Sequence, residues 1–229
     1  SIMKRIIYFV LAILVCGIYM GCSESEIELY NQTSRINFYG SLHIRTLVDT
    51  DYVKKDDPYA IDSFTVKIQG DLLKENRDFC VKVSPNSDYQ KSVDVLLESK
   101  YTYTELDTVC QVFYYKIKRP AVEAGRKVYG CFLEFDLNNP LHQFDKGLVE
   151  QNQIPLNVRW ELKPDEWSNW DGYGSYSDEK YMFIMDVCQC VYKELAYEDA
   201  DKVKQAYKEY IEKGNPPILG EEGDEIEYE

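Results

Sequence analysis

Apolar and polar residues alternate along the chain between residues 35 and 163. A period of two places successive side chains on opposite faces of a strand, so each stretch predicts a strand with one buried face. Such stretches occur at 36–38, 42–48, 64–68, 79–83, 93–97, 109–118, 127–137 and 154–162. Short strands separated by turn residues, without helix-length segments between them, predict a mainly β fold of the antiparallel, Ig-like β-sandwich type.

The hydrophobic period changes after Pro164 to that of a helix. A first helix is predicted to begin near Ser175 or Ser177, either of which could cap it, because serine side chains accept hydrogen bonds from the first free amides. Its apolar stripe consists of Tyr181, Ile184, Cys188, Val191 and Leu195. A second helix is predicted from about Glu198 to Lys213, where Gly214 ends it. Two C-terminal helices are therefore expected after the sandwich.

The N-terminal segment has the pattern of an export signal. Lys4 and Arg5 precede an apolar run of about 13 to 15 residues, shorter than the roughly 20 that cross a bilayer. Gly21-Cys22 then resembles the lipobox of bacterial lipoproteins, although Tyr19 and Met20 depart from its commonest form. We expect a signal peptide over 1–21 and lipidation at Cys22, which would attach the chain to a lipid bilayer. An ordinary signal peptide, or an anchor helix that is retained, stays open as an alternative.

These patterns divide the chain into five segments. A signal peptide at 1–21 is followed by a flexible tether at 22–34 and a β-sandwich domain at 35–163. An aromatic loop with the two helices occupies 164–214. The tail at 215–229 is predicted to be disordered, because from Glu221 onward it holds six acidic residues and few apolar ones.

Charge and cysteine content narrow the function classes. With 26 basic and 40 acidic residues the net charge is −14, which argues against a nucleic-acid partner, because phosphate binding needs clustered lysine and arginine. Cys188 and Cys190 would point about 200° apart on a helix, so they are unsuited to sharing a metal ion. No metal and no cofactor is predicted. The pairing of the five remaining cysteines is open, with at least one expected to stay free: Cys80, Cys110, Cys131, Cys188 and Cys190.

No catalytic constellation is evident. The two histidines, His43 and His142, lie about a hundred residues apart, and neither is near a nucleophile elbow or an HExxH motif. Paired carboxylates are abundant, but abundance alone does not indicate a glycosidase. We therefore expect a protein that is not an enzyme, with no catalytic residue assigned, and a hydrolase of unrecognised type as the remaining alternative.

The segment from Trp160 to Phe183 holds all three tryptophans and several tyrosines. Flat rings beside amides and carboxylates suit an oligosaccharide, whose CH groups stack on rings while its hydroxyls find polar partners. The candidate ligand-binding residues are Trp167, Trp170, Asp171, Tyr173 and Tyr176. Alternatively, the aromatic residues close the end of the sandwich and dock the helices. This packing role is favoured for Trp160 and Tyr181, which lie on apolar stripes.

The same segment carries a family resemblance in Trp170, Tyr173-Gly174, Tyr176-Ser177, Lys180 and Phe183. This run resembles the C-terminal motif of an uncharacterised family of Bacteroidetes surface lipoproteins, and Ser23-Glu24-Ser25-Glu26 is similar to their surface-export signal. The resemblance implies a lipid-anchored protein exposed on the outer membrane. It also implies residence beside a SusC/SusD-type transporter pair, which imports glycans or other oligomers, and it supplies no catalytic residue.

The leading hypothesis is a cell-surface lipoprotein without enzymatic activity that serves an outer-membrane nutrient uptake system as a ligand-binding or accessory component. The alternative is a structural or adhesin-type subunit of a surface assembly, in which sandwiches pair by exchanging strands.

Overall fold

Two β-sheets pack face to face in the computed structural model of the protein, which describes residues 34–123, 128–220 and 222–228. The strands contribute more residues than the helices, and two longer helices follow the last strand. The prediction of a mainly β, Ig-like sandwich with two C-terminal helices is thus confirmed. The predicted signal peptide 1–21, the lipidation site Cys22 and the tether up to residue 33 lie outside the described residues.

The strands and helices have the following bounds. The strands are β1 (Arg35–Phe38), β2 (His43–Leu47), β3 (Tyr59–Gln69), β4 (Arg77–Phe79), β5 (Val81–Ser84), β6 (Val95–Leu96), β7 (Tyr101–Tyr103), β8 (Cys110–Lys118), β9 (Tyr129–Phe135), β10 (Asp145–Lys146) and β11 (Gln153–Trp160). The helices are α1 (Asp49–Val53), α2 (Asp178–Cys188) and α3 (Asp199–Glu212), and 3₁₀ turns occupy Val149–Gln151 and Tyr192–Glu194.

The strands form one sheet of five strands in the order β10-β1-β3-β8-β6 and one of four in the order β2-β11-β9-β5. A separate two-stranded ribbon pairs β4 with β7. Neighbouring strands run antiparallel except β1 with β10 and β2 with β11, which are parallel. The longest pairing joins β3 and β8, from Tyr59 opposite Lys118 to Lys67 opposite Cys110.

Aromatic rings join the two sheets in the core. Phe38 of the five-stranded sheet stacks on Phe135 of the four-stranded sheet with ring centroids 4.2 Å apart. Phe79 meets the same Phe135 edge to face at 5.9 Å, which ties the ribbon to the core. These side chains come from the apolar positions of alternating stretches, so the period of two sets the composition of the core.

The edge strand β2 turns polar side chains toward the sandwich interior. His43 and Arg45 pair in register with Leu156 and Val158 of β11, whose side chains are fully buried. His43 Nε2 lies 2.8 Å from an oxygen of Asp62. Arg45 lies 3.9 Å from an oxygen of Asp51 in α1. Acidic partners on neighbouring elements therefore satisfy these inward polar side chains.

The two C-terminal helices largely follow the prediction. Ser177 caps α2 by accepting a hydrogen bond from the Lys180 amide at 3.1 Å. The helix ends at Cys188 rather than continuing to Leu195, because Gln189 adopts a left-handed conformation with φ 56°. Val191 and Leu195 then flank the 3₁₀ turn instead of extending the helical stripe.

The segment after α3 differs most from expectation, because the tail predicted to be disordered folds back onto the helices. Leu219 bridges Glu225 in antiparallel fashion, and Ile226 is buried. The Tyr228 ring lies 5.6 Å from that of Tyr207 in α3. The prediction of disorder was based on the many acidic residues of the tail, whereas the apolar side chains of Ile226 and Tyr228 hold it in place.

Helix α1 and the short strands β7 and β10 were not predicted from the sequence. In the described segments all five cysteines are free, and Cys80 and Cys131 are buried as small apolar residues. No helix within 34–123, 128–220 or 222–228 combines the length and apolarity needed to span a bilayer.

Candidate functional site

A groove of about 1030 Å³ runs between the aromatic loop before α2, the first turn of α2 and the returning tail. Its walls combine aromatic, amide, hydroxyl and charged groups. The lining residues include Lys163, Trp167, Asn169, Tyr176, Lys180 and the acidic tail residues Glu222, Asp224, Glu225 and Glu227. We refer to this feature as the tail groove.

The floor of the tail groove rests on a cluster of packed rings. Trp167 stacks on Tyr192 with centroids 4.9 Å apart and meets Tyr176 edge to face at 5.0 Å. Its indole N–H donates to the Gly174 carbonyl at 3.1 Å. Gly174 has a φ of +67°, in the left-handed region that favours glycine, so a side chain there would strain this turn. Trp167 is therefore both packed and partly presented to the groove.

Lys180 is a buried cation, only 4% exposed, beneath the loop. Its ammonium donates to the carbonyl oxygens of Tyr173 and Ser175, each at 2.8 Å, and lies 5.6 Å from the centre of the Tyr228 ring. Two carbonyls and an aromatic face offset part of the cost of removing this charge from water. Lys180 thus joins the loop, α2 and the tail.

Polar groups at the rim of the groove are held in fixed positions. Tyr176 donates from its hydroxyl to Asp178 at 2.6 Å, which orients its ring at the start of α2. The Lys163 ammonium lies 5.4 Å from the centre of the same ring. Asn169 is exposed and lines the groove nearby. The Lys163 ammonium and the Asn169 side-chain amide can donate hydrogen bonds to a bound molecule.

The opposite wall is acidic and comes from the tail. Tyr207 of α3 donates to Glu225 at 3.0 Å, and the Gly220 amide donates to the Asp224 carbonyl at 2.8 Å. These bonds fix the turn that carries the carboxylate of Glu222, and Glu227 follows two residues after Glu225. The groove therefore faces a bound molecule with acceptors on one side and donors on the other.

The structure separates the residues predicted to form one aromatic platform. Tyr173 is only 3% exposed, and burial raises the pKa of its hydroxyl, so its ring belongs to the core and offers no face for stacking. Trp170 is 95% exposed and does not line the groove. Asp171 accepts a hydrogen bond from the Tyr192 hydroxyl. Only Trp167 and Tyr176 of the predicted set meet at the groove, so the predicted platform does not form as a unit.

Sequence reasoning missed Lys163, Asn169 and the tail as groove residues. Asn169 lies between predicted residues and could have been included on proximity alone. The tail could not, because its place depends on contacts of the Tyr228 ring with Phe183 of α2 and Tyr207 of α3, which lie well before it in the chain.

The histidines do not form a nucleophilic site with a described serine or cysteine. His43 and the Tyr115 hydroxyl both contact Asp62, at 2.8 and 2.7 Å. Burial raises the pKa of Asp62, but the hydrogen bonds from His43 and Tyr115 outweigh burial and lower it overall. His142 accepts from the Cys80 amide at 3.1 Å. Both histidines thus support the sandwich, and no group of three potential metal-binding side chains converges in the described ranges.

No family model matches the chain, and no curated protein matches it. Among solved structures, the chain is similar to the apo form of the Calx CBD1 domain. The sequence identity is 8%, the match covers 57% of this chain and 99% of that domain, and the TM-score is 0.37. Nothing about ligand or activity follows from a likeness at this level.

Proposed function

We propose that this chain is a non-enzymatic surface lipoprotein that binds a neutral, polyhydroxylated oligomer, such as an oligosaccharide, in the tail groove. The observation that carries the proposal is the lining of this groove, which combines partly exposed rings with hydrogen-bond donors and carboxylate acceptors. Sugars need this combination, because their CH faces stack on rings and their hydroxyls both donate and accept.

The charge distribution disfavours an anionic ligand. The four acidic residues of the tail wall outnumber the two lysines that line the groove, so they would repel an anion, whereas a neutral ligand meets no such repulsion. Hydroxyl groups can bind both walls at once. The volume of about 1030 Å³ lies at the upper end of the range for small-molecule sites, about 300–1000 Å³, which suits several sugar units better than one.

The cellular setting of the proposal comes from the sequence. Acylation at Cys22 would hold the domain on the outer membrane, where the family that it resembles accompanies SusC/SusD-type transporters. In that setting the protein would capture oligomers for import, and no catalytic step is needed for this role.

The binding proposal is tested with the mature chain carrying Cys22→Ser, first on an oligosaccharide array and then by calorimetry with the best ligand. Lys163→Gln and Asn169→Ala are each expected to weaken binding at least about tenfold. This is the change in affinity that corresponds to a loss of about 1.4 kcal/mol when a hydrogen bond to the ligand is removed. The matched controls Lys193→Gln and Asn138→Ala, on exposed residues outside the groove, should change affinity less than about twofold. Absence of binding on the array, or equal losses in controls, would contradict the proposal.

The location is tested separately by labelling cells with radioactive palmitate and by treating intact cells with protease. The parent chain should incorporate palmitate and be cleaved by protease added to intact cells. The Cys22→Ser variant should incorporate no palmitate and should be released from the membrane. If the parent chain were not labelled, lipid anchoring at Cys22 would be contradicted, and the result for oligosaccharide binding would still stand.

A further inference from the structure

The outer face of the five-stranded sheet carries an unusual set of exposed side chains. Along β3 and β8, side chains alternate between the core and the outer surface of the sheet. The outward positions are therefore those that lie between two core-facing positions. They place Ile61 opposite Lys116, Ser63 opposite Tyr114 and Thr65 opposite Val112 in register. Leu96 of β6 lies on the other side of Lys116. We call this surface the outer face.

The centre of the outer face is apolar and accessible. Tyr114 is 65% exposed and Ile61 is 64% exposed, and Val112 and Leu96 are also exposed. Because these residues belong to adjacent strands, they form one contiguous patch rather than isolated exposed residues. Contiguous apolar patches on a soluble domain mark interaction sites.

The outward positions of β3 and β8 are also basic, in contrast to the chain as a whole, and the exposed Asp94 lies opposite Lys118 at the edge beside β6. The outward positions of β3 and β8 hold three lysines, Lys67, Lys116 and Lys118, and no acidic residue, whereas the chain has a net charge of −14. In the described part of the chain Lys67 and Lys116 form no ion pair. On the opposite sheet, by comparison, Lys82 lies within 4.0 Å of both Glu134 and Asp136.

The chemistry of the outer face selects among possible occupants. Immersion in hydrocarbon would strip water from the hydroxyls of Ser63 and Thr65, which lie among the apolar residues, without giving them partners. If two copies paired through this face, Lys67 and Lys116 of one copy would face the lysines of the other, and the like charges would repel. An acidic protein surface with an apolar centre satisfies the lysines, the hydroxyls and Tyr114 together.

We propose that the outer face is a docking surface for a different protein, one whose contact surface is acidic around an apolar centre. The eleven residues of β3, the nine of β8 and the two of β6, at about 3.3 Å rise and about 4.8 Å strand spacing, give a flat area of about 350 Å². This size corresponds to a small interface of the transient class. Tyr114 and Ile61 form its centre, and Lys67 and Lys116 flank them and steer association.

The test begins in cells that make the protein naturally, with the full chain. A photoreactive benzophenone amino acid replaces Tyr114, and in a control chain it replaces Ile44, an exposed apolar residue on the outer side of the other sheet. Illumination should join position 114, but not position 44, to one other protein. That protein is then purified, and its affinity for the unmodified chain is measured at several salt concentrations.

The expected result is binding that weakens with added salt and that falls at least about tenfold in the double variant Lys67→Glu/Lys116→Glu. The matched double variant Lys193→Glu/Lys213→Glu, on exposed lysines of the helical region, should change affinity less than about threefold. Circular dichroism confirms that both variants are folded. The proposal is overturned if position 114 crosslinks to lipid, to a second copy, to residues 23–33 of its own chain or to nothing, or if reversing Lys67 and Lys116 leaves affinity unchanged. The oligosaccharide variants lie elsewhere, so failure of one proposal does not affect the other.

Discussion

Replacing Tyr181 by phenylalanine tests how the C-terminal helices are held on the sandwich. The Tyr181 side chain in α2 is fully buried, and its hydroxyl donates to Asp49 of α1 at 2.8 Å. The same oxygen accepts a hydrogen bond from the Tyr192 amide, also at 2.8 Å. One atom therefore links the last helices to the element between β2 and β3.

The magnitude follows from the two bonds. A hydrogen bond to a charged acceptor contributes about 1.5–3 kcal/mol, and leaving the buried Tyr192 amide without an acceptor costs about 1–3 kcal/mol. Allowing for partial relaxation, Tyr181→Phe should lower the free energy of unfolding by about 3 kcal/mol. This is a large fraction of the roughly 5–15 kcal/mol that stabilises a typical domain.

Urea unfolding followed by circular dichroism measures the effect, with Tyr114→Phe as the control because its side chain is exposed. The control should change stability by less than about 0.5 kcal/mol. In the background of Asp49→Asn, the effect of Tyr181→Phe should shrink, because the charged acceptor is already gone. If Tyr181→Phe matched the control, the hydroxyl would not link the helices to the sandwich, and the reasoning would be refuted.

Three further predictions concern the helical region and the core. Trp167→Ala should lower the unfolding free energy by about 3 kcal/mol by removing a packed ring, whereas Trp170→Ala, on an exposed ring, should change it by under about 0.5 kcal/mol in urea titrations. Ser177→Ala should cost about 1 kcal/mol through loss of the helix cap, and an equal loss for Ser175→Ala would contradict the cap. Burial lowers the pKa of His142, so its stabilising contribution is complete above about pH 6.5 and is lost as the pH falls through the lowered value. In His142→Gln, the urea midpoint of unfolding should depend less steeply on pH below about pH 6.5. An unchanged pH dependence of this midpoint would refute the prediction.

The alternation of apolar residues was sufficient to predict the sandwich because each central strand buries one face. Phe64, Val66 and Ile68 of β3 illustrate this, since all three are buried. Helix α1 could not be predicted, because its five residues form no apolar stripe and its place depends on partners such as Tyr181. Short elements of this kind are determined by tertiary contacts rather than by local pattern.

The candidate site was only partly predictable for a similar reason. The concentration of tryptophan and tyrosine indicated the correct segment, but aromatic residues in a loop have no period that distinguishes buried from exposed rings. Trp167 and Trp170 lie three positions apart in a polar context, and packing against rings such as Tyr192 partly buries only the first of them. The tail wall depends in turn on Ile226, one apolar residue among acids.

The inward polar side chains of β2 have a consequence for assembly at high local concentration. An extended segment from a neighbouring molecule that joined this edge would place its own inward side chains beside His43 and Arg45 rather than beside apolar ones. The outermost strands of the other sheet, β6 and β10, offer only two residues each for such pairing. Crowded molecules should therefore not grow into fibres through these three sheet edges.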